Sequence, residues 1–418
     1  MKQPLRVCID ARILPGVAGG VEQVITGLAS GLAKLADGDE EYLFLVYGAF
    51  DEWLRPFLGE RCRVLRIRGG TRPTWKRRLV DVPPGVRRLI DAVWLVSRAG
   101  RVPIPRSDGF LEAQGAQVVH FCQQSAFLTE IPSIYHPHDL QHVHLPQLFS
   151  GRTRKTRDIQ YRAFCSKAKV VSVVSSWVRE DLVATLGVPR EKIAVIPLAP
   201  PISSHPQPTE VESEEVRRKY SLPDQFAFYP AQTWPHKNHI GLLEAAARIR
   251  SQDGLTVPLV FSGQMNGFHA SIAKRVRALG LSDSVLFVGY VSSLELSCLY
   301  KLCRCVIVPT KFEAASFPVW EAFAAGRPVA CSKVTSLPEQ AGDAALLFDP
   351  DDYVEMAGAI RRLWTDEALL RTLARRGAAR VATLSWEKTA KRFRAHYRAL
   401  AGEAPCLEDQ ILLRETWQ

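Results

Sequence analysis

The sequence predicts a two-domain α/β fold in which each domain is a doubly wound parallel sheet with helices on both faces. At 418 residues the chain is too long for one hydrophobic core, so two domains are expected. Short runs rich in Val and Ile alternate with helix-length amphipathic stretches from end to end, which is typical of parallel sheets. Between residues 198 and 214, proline, serine and acidic residues crowd together without periodicity, which indicates a linker.

The first half of the chain predicts an N-terminal domain over residues 1–203. Its candidate strands are short apolar runs at residues 6–11, 42–47, 64–67, 118–121, 133–135, 170–174 and 194–198. Amphipathic stretches between these runs, for example 21–35 and 176–186, predict helices.

The same alternation after the linker predicts a C-terminal domain over residues 204–385. Strands are expected at 226–230, 258–262, 285–288, 305–308 and 328–330, and helices at 240–249, 270–279, 294–302 and 319–325. From residue 354 onward we expect two or three further helices without a strand between them, and the tail at 386–418 begins with a helix over 386–401. Because open parallel sheets bind ligands at the carboxyl ends of their strands, the two domains are expected to face a central cleft.

Composition and charge narrow the class of protein. A chain that is 47% hydrophobic and 23% charged is typical of a soluble globular enzyme, and no run approaches the roughly 20 apolar residues that cross a bilayer. The start, MKQPLRVCIDAR, carries Asp10 and Arg12 in its apolar run, unlike a signal peptide, so we expect a cytoplasmic protein. The nine scattered cysteines lack metal-ligand spacing and favour reduced thiols. The net charge of +11 indicates an anionic partner.

The segment KFEAASFPVWEAFAAGRPVACS contains two glutamates that suggest chemistry. Glu313 falls in the loop after the strand at 305–308, and Pro318 suits the first position of the next helix, whose opening turns contain Glu321. The two carboxylates could accept hydrogen bonds from the hydroxyls of a hexose and a ribose, and the helix N-terminus suits a diphosphate. Alternatively, Glu321 only complements the helix dipole and Glu313 is solvated.

A second segment, FYPAQTWPHKNHIGLLEAA, places polar residues between a strand and a helix. Gln232, Lys237 and Asn238 occupy the turn, where Lys237 could neutralise the phosphates of a leaving nucleoside diphosphate. The alternative is a solvated lysine beside an N-capping Asn238.

The first domain offers weaker signals. Gly19 and Gly20 precede a helix and would let backbone amides approach a ligand, but their spacing is not that of dinucleotide binders, so a simple turn is equally possible. The segment YHPHDLQHVHLP carries four histidines, yet only one carboxylate, Asp139, accompanies them. A zinc site is therefore disfavoured, and we expect a single cleft histidine, His138.

Residues 61–106 concentrate much of the positive charge. Trp75 and Trp94 interleave there with lysines and arginines, a composition typical of an amphipathic segment at an anionic membrane surface. Aromatic residues among basic ones also fit nucleic acid, although no nucleic-acid module is recognisable and we expect no such partner. A solvated helix with one buried face remains the third interpretation.

Several segments follow one another in an order shared with a known family. The main ones are EAASFPVWEAFAAGRPV, YPAQTWPHKN and VLFVGYVSSLELSCLY, supported by HDL at residues 138–140, the Gly19–Gly20 loop, SVVSSWVREDLVATLGV and SWEKTAKRF. In these segments the chain resembles the family 4 retaining glycosyltransferases of the GT-B fold, across essentially its whole length. The first of them matches that family's Glu-x7-Glu motif.

The resemblance implies a role for each matched residue. Glu313 would contact the donor hexose, Glu321 the ribose hydroxyls and Lys237 the diphosphate. His138 would lie beside the transferred sugar. The main chain of Ala315, Ser316 and Phe317 would face the sugar and the diphosphate. The main chain of Gly289, Tyr290 and Val291 would bind the base. Gly19 and Gly20 would help to form the acceptor side.

The chain departs from the family pattern at two places. The family commonly has a basic residue at the position of Gln232 or Thr233, so Gln232 would meet the nucleotide sugar without a charge. The glycines that usually follow the first glutamate are replaced by Ala314 and Ser316, which narrows the sugar pocket.

The expected activity is that of a retaining hexosyltransferase that uses a nucleoside-diphosphate sugar, mannose being favoured, and a lipid-linked or polysaccharide acceptor. No cofactor and no metal are expected, since the chain lacks an Asp-x-Asp cluster in a suitable loop. Peripheral attachment to the inner face of the cytoplasmic membrane is the expected location. A nucleotide-sugar epimerase acting on the donor alone and a noncatalytic binding protein are the alternatives, while a nicotinamide dehydrogenase is disfavoured by the first glycine loop.

Overall fold

The computed structural model describes residues 3–16, 19–48, 51–67, 102–201 and 207–414. Residues 68–101, which include Trp75, Trp94 and most of the basic segment at 61–106, lie outside them. The chain divides into two compact units: unit 1 comprises Met1–Leu198 and Trp386–Gln418, and unit 2 comprises Ala199–Ser385. None of the helices in the described ranges combines the length and apolar character that a membrane span requires.

Unit 1 is built on a seven-stranded parallel sheet with the order β3-β2-β1-β4-β5-β6-β7. Its strands are β1 (Arg6–Asp10), β2 (Glu41–Tyr47), β3 (Cys62–Ile67), β4 (Val118–Phe121), β5 (Ser133–Tyr135), β6 (Val170–Val173) and β7 (Ile193–Val195). Strand β1 pairs with β2 on one side and β4 on the other, so the strand order reverses between β1 and β4. Residues that follow these two strands therefore lie where doubly wound sheets bind ligands.

The helices of unit 1 follow the expected alternation with the strands. They are α1 (Gly20–Ala33), α2 (Phe110–Ala113), α3 (Gln141–His144), α4 (Gly151–Lys167), α5 (Ser176–Leu186), α14 (Trp386–Leu400) and α15 (Leu407–Arg414). Helix α5 shows why such limits can be predicted: Ser175 accepts a hydrogen bond from the amide of Val178, and Gly187 ends the helix in a left-handed conformation.

Helix α14 completes the core of unit 1, although it lies far from the rest of the unit in sequence. It packs on α1, where Trp386 fills the space beside Gly27 and the Trp386 carbonyl lies against Gly31. At the other end, the buried guanidinium of Arg394 donates to both carboxylate oxygens of Asp37, at 2.8 and 3.0 Å. Small residues on α1 therefore let the two helices approach closely, and an ion pair fixes their register.

Unit 2 contains a six-stranded parallel sheet with the order β10-β9-β8-β11-β12-β13. Its strands are β8 (Ala227–Pro230), β9 (Leu259–Ser262), β10 (Val285–Gly289), β11 (Cys305–Val308), β12 (Val329–Ser332) and β13 (Ala345–Phe348). Strand β13 was not among the predicted strands. It is a four-residue edge strand in which only Phe348 is fully buried, and its sequence ALLF lacks the Val and Ile residues that mark the predicted strands.

The four helices of unit 2 predicted at 240–249, 270–279, 294–302 and 319–325 begin and end within a few residues of those limits. Two others, Glu210–Tyr220 and Leu337–Ala341, were not predicted, and the first of them occupies the end of the predicted linker at 198–214. In chain order, the helices of unit 2 are α6 (Glu210–Tyr220), α7 (His239–Asp253), α8 (His269–Ala278), α9 (Ser293–Leu302), α10 (Phe317–Ala324), α11 (Leu337–Ala341), α12 (Tyr353–Thr365) and α13 (Glu367–Val381). Helix α10 begins one residue earlier than expected, so Pro318 takes its second position. From Tyr353 onward the described residues contain the predicted tail helix α14 and three further helices, α12, α13 and α15, in agreement with the two or three that were expected.

Candidate functional site

Lys237 and Glu313 meet at the carboxyl ends of two adjacent strands of unit 2. Lys237 ends a short 3-10 turn after β8, and Glu313 lies in the loop after β11, the strand that pairs with β8. The Lys237 Nζ atom lies 2.5 Å from Glu313 Oε1, with the two side chains 22% and 14% exposed. Each group therefore neutralises the other at an edge of the sheet that solvent still reaches.

The turn that carries Lys237 is held by its neighbours. Asn238 adopts a left-handed conformation (φ 58°), and its Nδ2 donates to the carbonyls of Pro309 at 3.1 Å and Pro350 at 2.9 Å. The Tyr229 hydroxyl donates to the carbonyl of Lys237 at 3.0 Å. Asn238 precedes α7 but makes no side-chain capping bond. It instead joins the loops after β8, β11 and β13.

Glu321 lies inside α10 and is almost wholly buried, at 6% exposed. The hydroxyl of Tyr300 from α9 donates to Glu321 Oε2 at 2.7 Å. Burial raises the pKa of Glu321 to about 7, and the Tyr300 hydrogen bond opposes part of that rise. Burial therefore favours the protonated form of this carboxyl group more than it would for a glutamate in water.

The residues from Ala315 to Phe317 lead into α10. Ser316 is the N-cap residue of that helix, yet its side chain makes no capping hydrogen bond. The amides of the first turn therefore have no side-chain acceptor from the N-cap residue. Lys311, another cation of this loop, is paired with Asp351.

The other residues of unit 2 that were predicted to bind the nucleotide sugar also lie at or after the ends of strands. Gly289 is the last residue of β10, and its carbonyl accepts from the amide of Gly263 at 2.7 Å. Tyr290, next along the chain, is 70% exposed, and Val291 is partly buried. The side-chain oxygen of Gln232 accepts from the Trp234 indole at 2.8 Å, so that side chain is occupied locally.

His138 lies in unit 1, after β5. It is a non-glycine residue with a left-handed backbone (φ 62°), and its Nε2 lies 2.9 Å from the carbonyl of Cys122. Because a carbonyl can only accept, Nε2 carries a proton, and Nδ1 is the acceptor in the neutral ring. Burial lowers the pKa of His138, although the bond to Cys122 opposes this. The ring is thus neutral near pH 7, with Nδ1 available to accept a hydrogen bond.

The side chains of the other three histidines of this segment contact three different partners. His136 lies 2.7 Å from His120, nitrogen to nitrogen, His144 lies 2.8 Å from Asp181, and the His142 ring packs against Tyr161. Within the described residues no group of three or more His, Cys, Asp or Glu side chains is arranged to hold a metal ion.

Gly19 and Gly20 stand at the start of α1, Gly19 as its N-cap residue with φ 58° and Gly20 as its first residue. Nearby, the amide of Gly16 donates to the carboxylate of Glu22 at 2.7 Å. Glu22 thus ties the first loop to the first turn of α1, and burial raises the pKa of Glu22.

Each half of the chain matches a known family. Residues 19–199 match the profile described as "Glycosyl transferase 4-like domain", and residues 212–380 match "Glycosyl transferases group 1". The chain therefore carries two glycosyltransferase domains, which together make the GT-B fold.

Curated glycosyltransferases are among its relatives. The O-antigen chain mannosyltransferase B of Escherichia coli is 31% identical over 222 residues, which is 53% of this chain and 58% of that enzyme. The MMP alpha-(1->4)-mannosyltransferase of Mycolicibacterium hassiacum is 33% identical over 177 residues, 41% of this chain and 42% of that enzyme. The alignments thus span only about half the length of these relatives.

Solved structures share the fold of this glycosyltransferase over nearly all its length. HepE of Anabaena, in complex with UDP and glucose, superimposes with a TM-score of 0.70 at 16% identity and covers 94% of this chain and 100% of its own. At that identity the likeness concerns the fold.

Three residues that bond Glu321 or the loop between Glu313 and Ser316 were not predicted from the sequence: Tyr300, Thr335 and Gln340. Tyr300 is bonded to Glu321, while Thr335 and Gln340 bond the loop between Glu313 and Ser316. A signal for the last two existed. Both follow β12, the strand next to β11, and polar residues after neighbouring parallel strands meet at one edge of a sheet.

Proposed function

We propose that this chain is a retaining glycosyltransferase that transfers a hexose from a nucleoside-diphosphate sugar to a saccharide or lipid-linked acceptor. The observation that carries the proposal is the contact of Lys237 with Glu313 at the edge of the unit 2 sheet, in the loop that leads into the helix of the buried Glu321. A cation for a diphosphate and carboxylates for hydroxyl groups are thus present in one family-matched unit.

Contacts with a bound nucleotide sugar could replace the ion pair between Lys237 and Glu313. A diphosphate carries more negative charge than one carboxylate, so it would draw Lys237 away from Glu313 when it binds. Glu313 would then be free to accept hydrogen bonds from hydroxyls of the hexose. Binding of the diphosphate by Lys237 would in this way release Glu313 to bind the hexose.

Glu321 is the proposed partner of the ribose. Its carboxyl group offers acceptors to vicinal hydroxyls, and the Tyr300 hydroxyl fixes its orientation from the buried side. Burial raises the pKa of this carboxyl group, and the protonated form tolerates burial better than the charged form does. It is therefore suited to a dry contact with the sugar of the nucleotide.

Transfer would proceed with retention of the anomeric configuration. The bond between the anomeric carbon and the diphosphate oxygen breaks, and the acceptor hydroxyl attacks the face that the diphosphate leaves. Its proton passes to a diphosphate oxygen. Lys237 and the first-turn amides of α7 and α10 would stabilise the departing charge, which makes a metal ion unnecessary in this scheme. His138 is proposed to contact the transferred sugar, as the family resemblance implies.

Mannose on GDP is the favoured donor, and a lipid-linked or polysaccharide saccharide the favoured acceptor. Support comes from the names of two relatives, an O-antigen chain mannosyltransferase and an MMP alpha-(1->4)-mannosyltransferase. Because HepE was solved in complex with UDP and glucose, UDP sugars are included in the test. The basic segment at 61–106 is proposed to dock on an anionic membrane surface, for which salt-sensitive liposome sedimentation is the measurement.

A nucleotide-release assay tests the proposal. The protein is incubated with UDP, GDP and dTDP sugars, with and without a lipid-linked acceptor mixture and with and without EDTA. We expect release from one donor that depends on the acceptor and survives EDTA, and NMR of the product should show the donor's anomeric configuration. Donor turnover without acceptor would favour an epimerase, and an inverted linkage would contradict retention.

A further inference from the structure

The loop between Glu313 and Ser316 is held in an unusual way. Its backbone groups are bonded largely by side chains from the segment that follows β12. Thr335 Oγ1 donates to the carbonyl of Glu313 at 2.6 Å and accepts from the amide of Glu313 at 3.1 Å. The Ser336 hydroxyl donates to the same carbonyl at 3.0 Å. Two hydroxyl side chains thus satisfy both backbone groups of Glu313.

Gln340 does the same for the other end of the loop. Its Oε1 accepts from the amide of Ser316 at 2.8 Å, and its Nε2 donates to the carbonyl of Ser316 at 2.6 Å. Gln340 is 4% exposed and Ser316 is 1% exposed, so water does not compete for these bonds. The side chain of Gln340 therefore makes the two hydrogen bonds to the Ser316 backbone that a neighbouring strand would make in a sheet.

The two bonding residues are themselves restrained. Thr335 has a left-handed backbone (φ 49°), which is a genuine outlier for a β-branched residue, and strain of this kind gathers at functional sites. Arg380 of α13 donates from Nε to the carbonyl of Gln340 at 2.6 Å. The loop is thus connected through α11 to a long helix.

We propose that Thr335 and Gln340 are positioning residues that hold the loop between Glu313 and Ser316 in its donor-binding shape before the donor arrives. This inference rests on the proposed function, since the loop is taken to contact the hexose and diphosphate. Neither residue needs to touch the donor. Their effect is to fix the Glu313 carboxylate and the amides that lead into α10.

Matched substitutions separate the hydrogen bonds from the shapes of the side chains. Thr335→Val keeps the β-branched outline but removes the hydroxyl, whereas Thr335→Ser keeps the hydroxyl. Gln340→Leu removes both bonds at similar volume. In Gln340→Glu the protonated carboxyl group can accept and donate as the amide does, but the carboxylate cannot donate to Ser316. Thr389→Val is the control, because Thr389 makes one buried hydrogen bond in unit 1, to the carbonyl of Pro197.

Hydrogen exchange of the full chain without any donor gives the first readout. We expect Gln340→Leu and Thr335→Val to speed exchange of the peptide covering residues 313–317 about 3- to 10-fold, the equivalent of one or two lost hydrogen bonds. Thr389→Val should leave that peptide unchanged. Unchanged exchange in both Gln340→Leu and Thr335→Val would overturn the inference.

Kinetics with the nucleotide sugar that the wild type consumes give the second readout. We expect kcat/KM for the donor to fall about 10- to 100-fold in Gln340→Leu, as for a misplaced catalytic loop, with a raised donor KM and an unchanged acceptor KM. Thr335→Ser should recover most of the loss seen in Thr335→Val. The activity of Gln340→Glu relative to wild type should fall as pH rises. An unchanged donor KM would mean a structural role alone and reject the inference.

The two failures are distinguishable. A wild type that consumes no nucleotide sugar contradicts the proposed function, and UDP and GDP binding by calorimetry then tests the loop, with weaker binding expected for Gln340→Leu. A wild type that transfers sugar beside a Gln340→Leu variant of equal donor KM contradicts only the positioning role.

Discussion

The hydroxyl of Tyr300 donates a 2.7 Å hydrogen bond to Oε2 of Glu321, and both side chains are buried. The carboxyl group is therefore oriented from within the core, by a residue on a different helix. Burial outweighs this bond and raises the pKa of Glu321 to about 7. The free energy of unfolding of unit 2 should therefore depend on pH through the ionisation of Glu321.

Glu321→Gln should remove a pH dependence of stability. Above its ordinary pKa of 4.5 the unfolded glutamate has lost its proton while the folded one keeps it up to about pH 7. The stabilising effect of the proton is therefore present at low pH and is lost as pH rises through 7. Urea unfolding at pH 5 and pH 8 should show the wild type losing on the order of 3 kcal/mol more than Glu321→Gln.

Tyr300→Phe is the companion variant. It removes the hydrogen bond that lowers the pKa of Glu321, so the window of falling stability should extend to higher pH. Equal pH dependence of the wild type and Glu321→Gln would show that Glu321 is not the titrating group.

Lys237 and Glu313 should show coupled effects on stability. Lys237→Met leaves the largely buried carboxylate of Glu313 without its partner, and Glu313→Gln leaves the ammonium group without its own. The double variant loses the pair as a whole, so it should be less destabilised than the sum of the single variants by about 0.5–3 kcal/mol. Denaturant unfolding of all four proteins measures this; strict additivity would mean that the contact does not contribute to stability.

His138 substitutions should separate backbone strain from chemistry. Asn tolerates a left-handed backbone, so His138→Asn should fold with a melting temperature close to that of the wild type, while sugar transfer falls about 100-fold. His138→Val places a β-branched residue at φ 62° and should also lower the melting temperature. Melting curves and initial rates measure the two effects. Full transfer activity in His138→Asn would remove this residue from the proposed mechanism.

Gly31→Ala should destabilise unit 1. An added methyl group would lie 2.2 Å from the Trp386 carbonyl oxygen, a backbone atom that cannot rotate away, so α14 must shift, at about 1–3 kcal/mol. Gly358→Ala in α12 is the control, because its methyl group would meet nothing within 4 Å. Helix propensity should make that variant slightly more stable. Denaturant unfolding compares them, and equal effects would contradict the close contact of α1 with α14.

Much of the fold could be predicted because local periodicity specifies it. Strands β4, β5 and β11 have the limits that their apolar runs indicate, and the two-sheet α/β architecture is confirmed. Strand β13 could not be found in this way, because its pairing with β12, not its own pattern, makes it a strand. Its residues, ALLF, include no β-branched side chain that would favour a strand over a helix.

The site could be predicted only in part, for the same physical reason. Glu313 and Lys237 each follow a strand, and that much is visible in the chain. Their contact depends on β8 and β11 being neighbours, which strand order decides. Tyr300, which bonds Glu321, comes from a separate helix, and nothing in its own segment indicates that contact. Thr335 and Gln340, by contrast, follow β12, the neighbour of β11, and that position is visible in the chain.

The return of α14 to α1 bears on how the protein is made. Unit 2 occupies one uninterrupted stretch, Ala199–Ser385, whereas unit 1 needs Trp386 and the residues after it to close its core. A growing chain that leaves the ribosome therefore exposes the first 198 residues with an uncovered face on α1 while unit 2 is translated. Because domains fold as units during synthesis, the domain that is translated first is the one that can finish folding last.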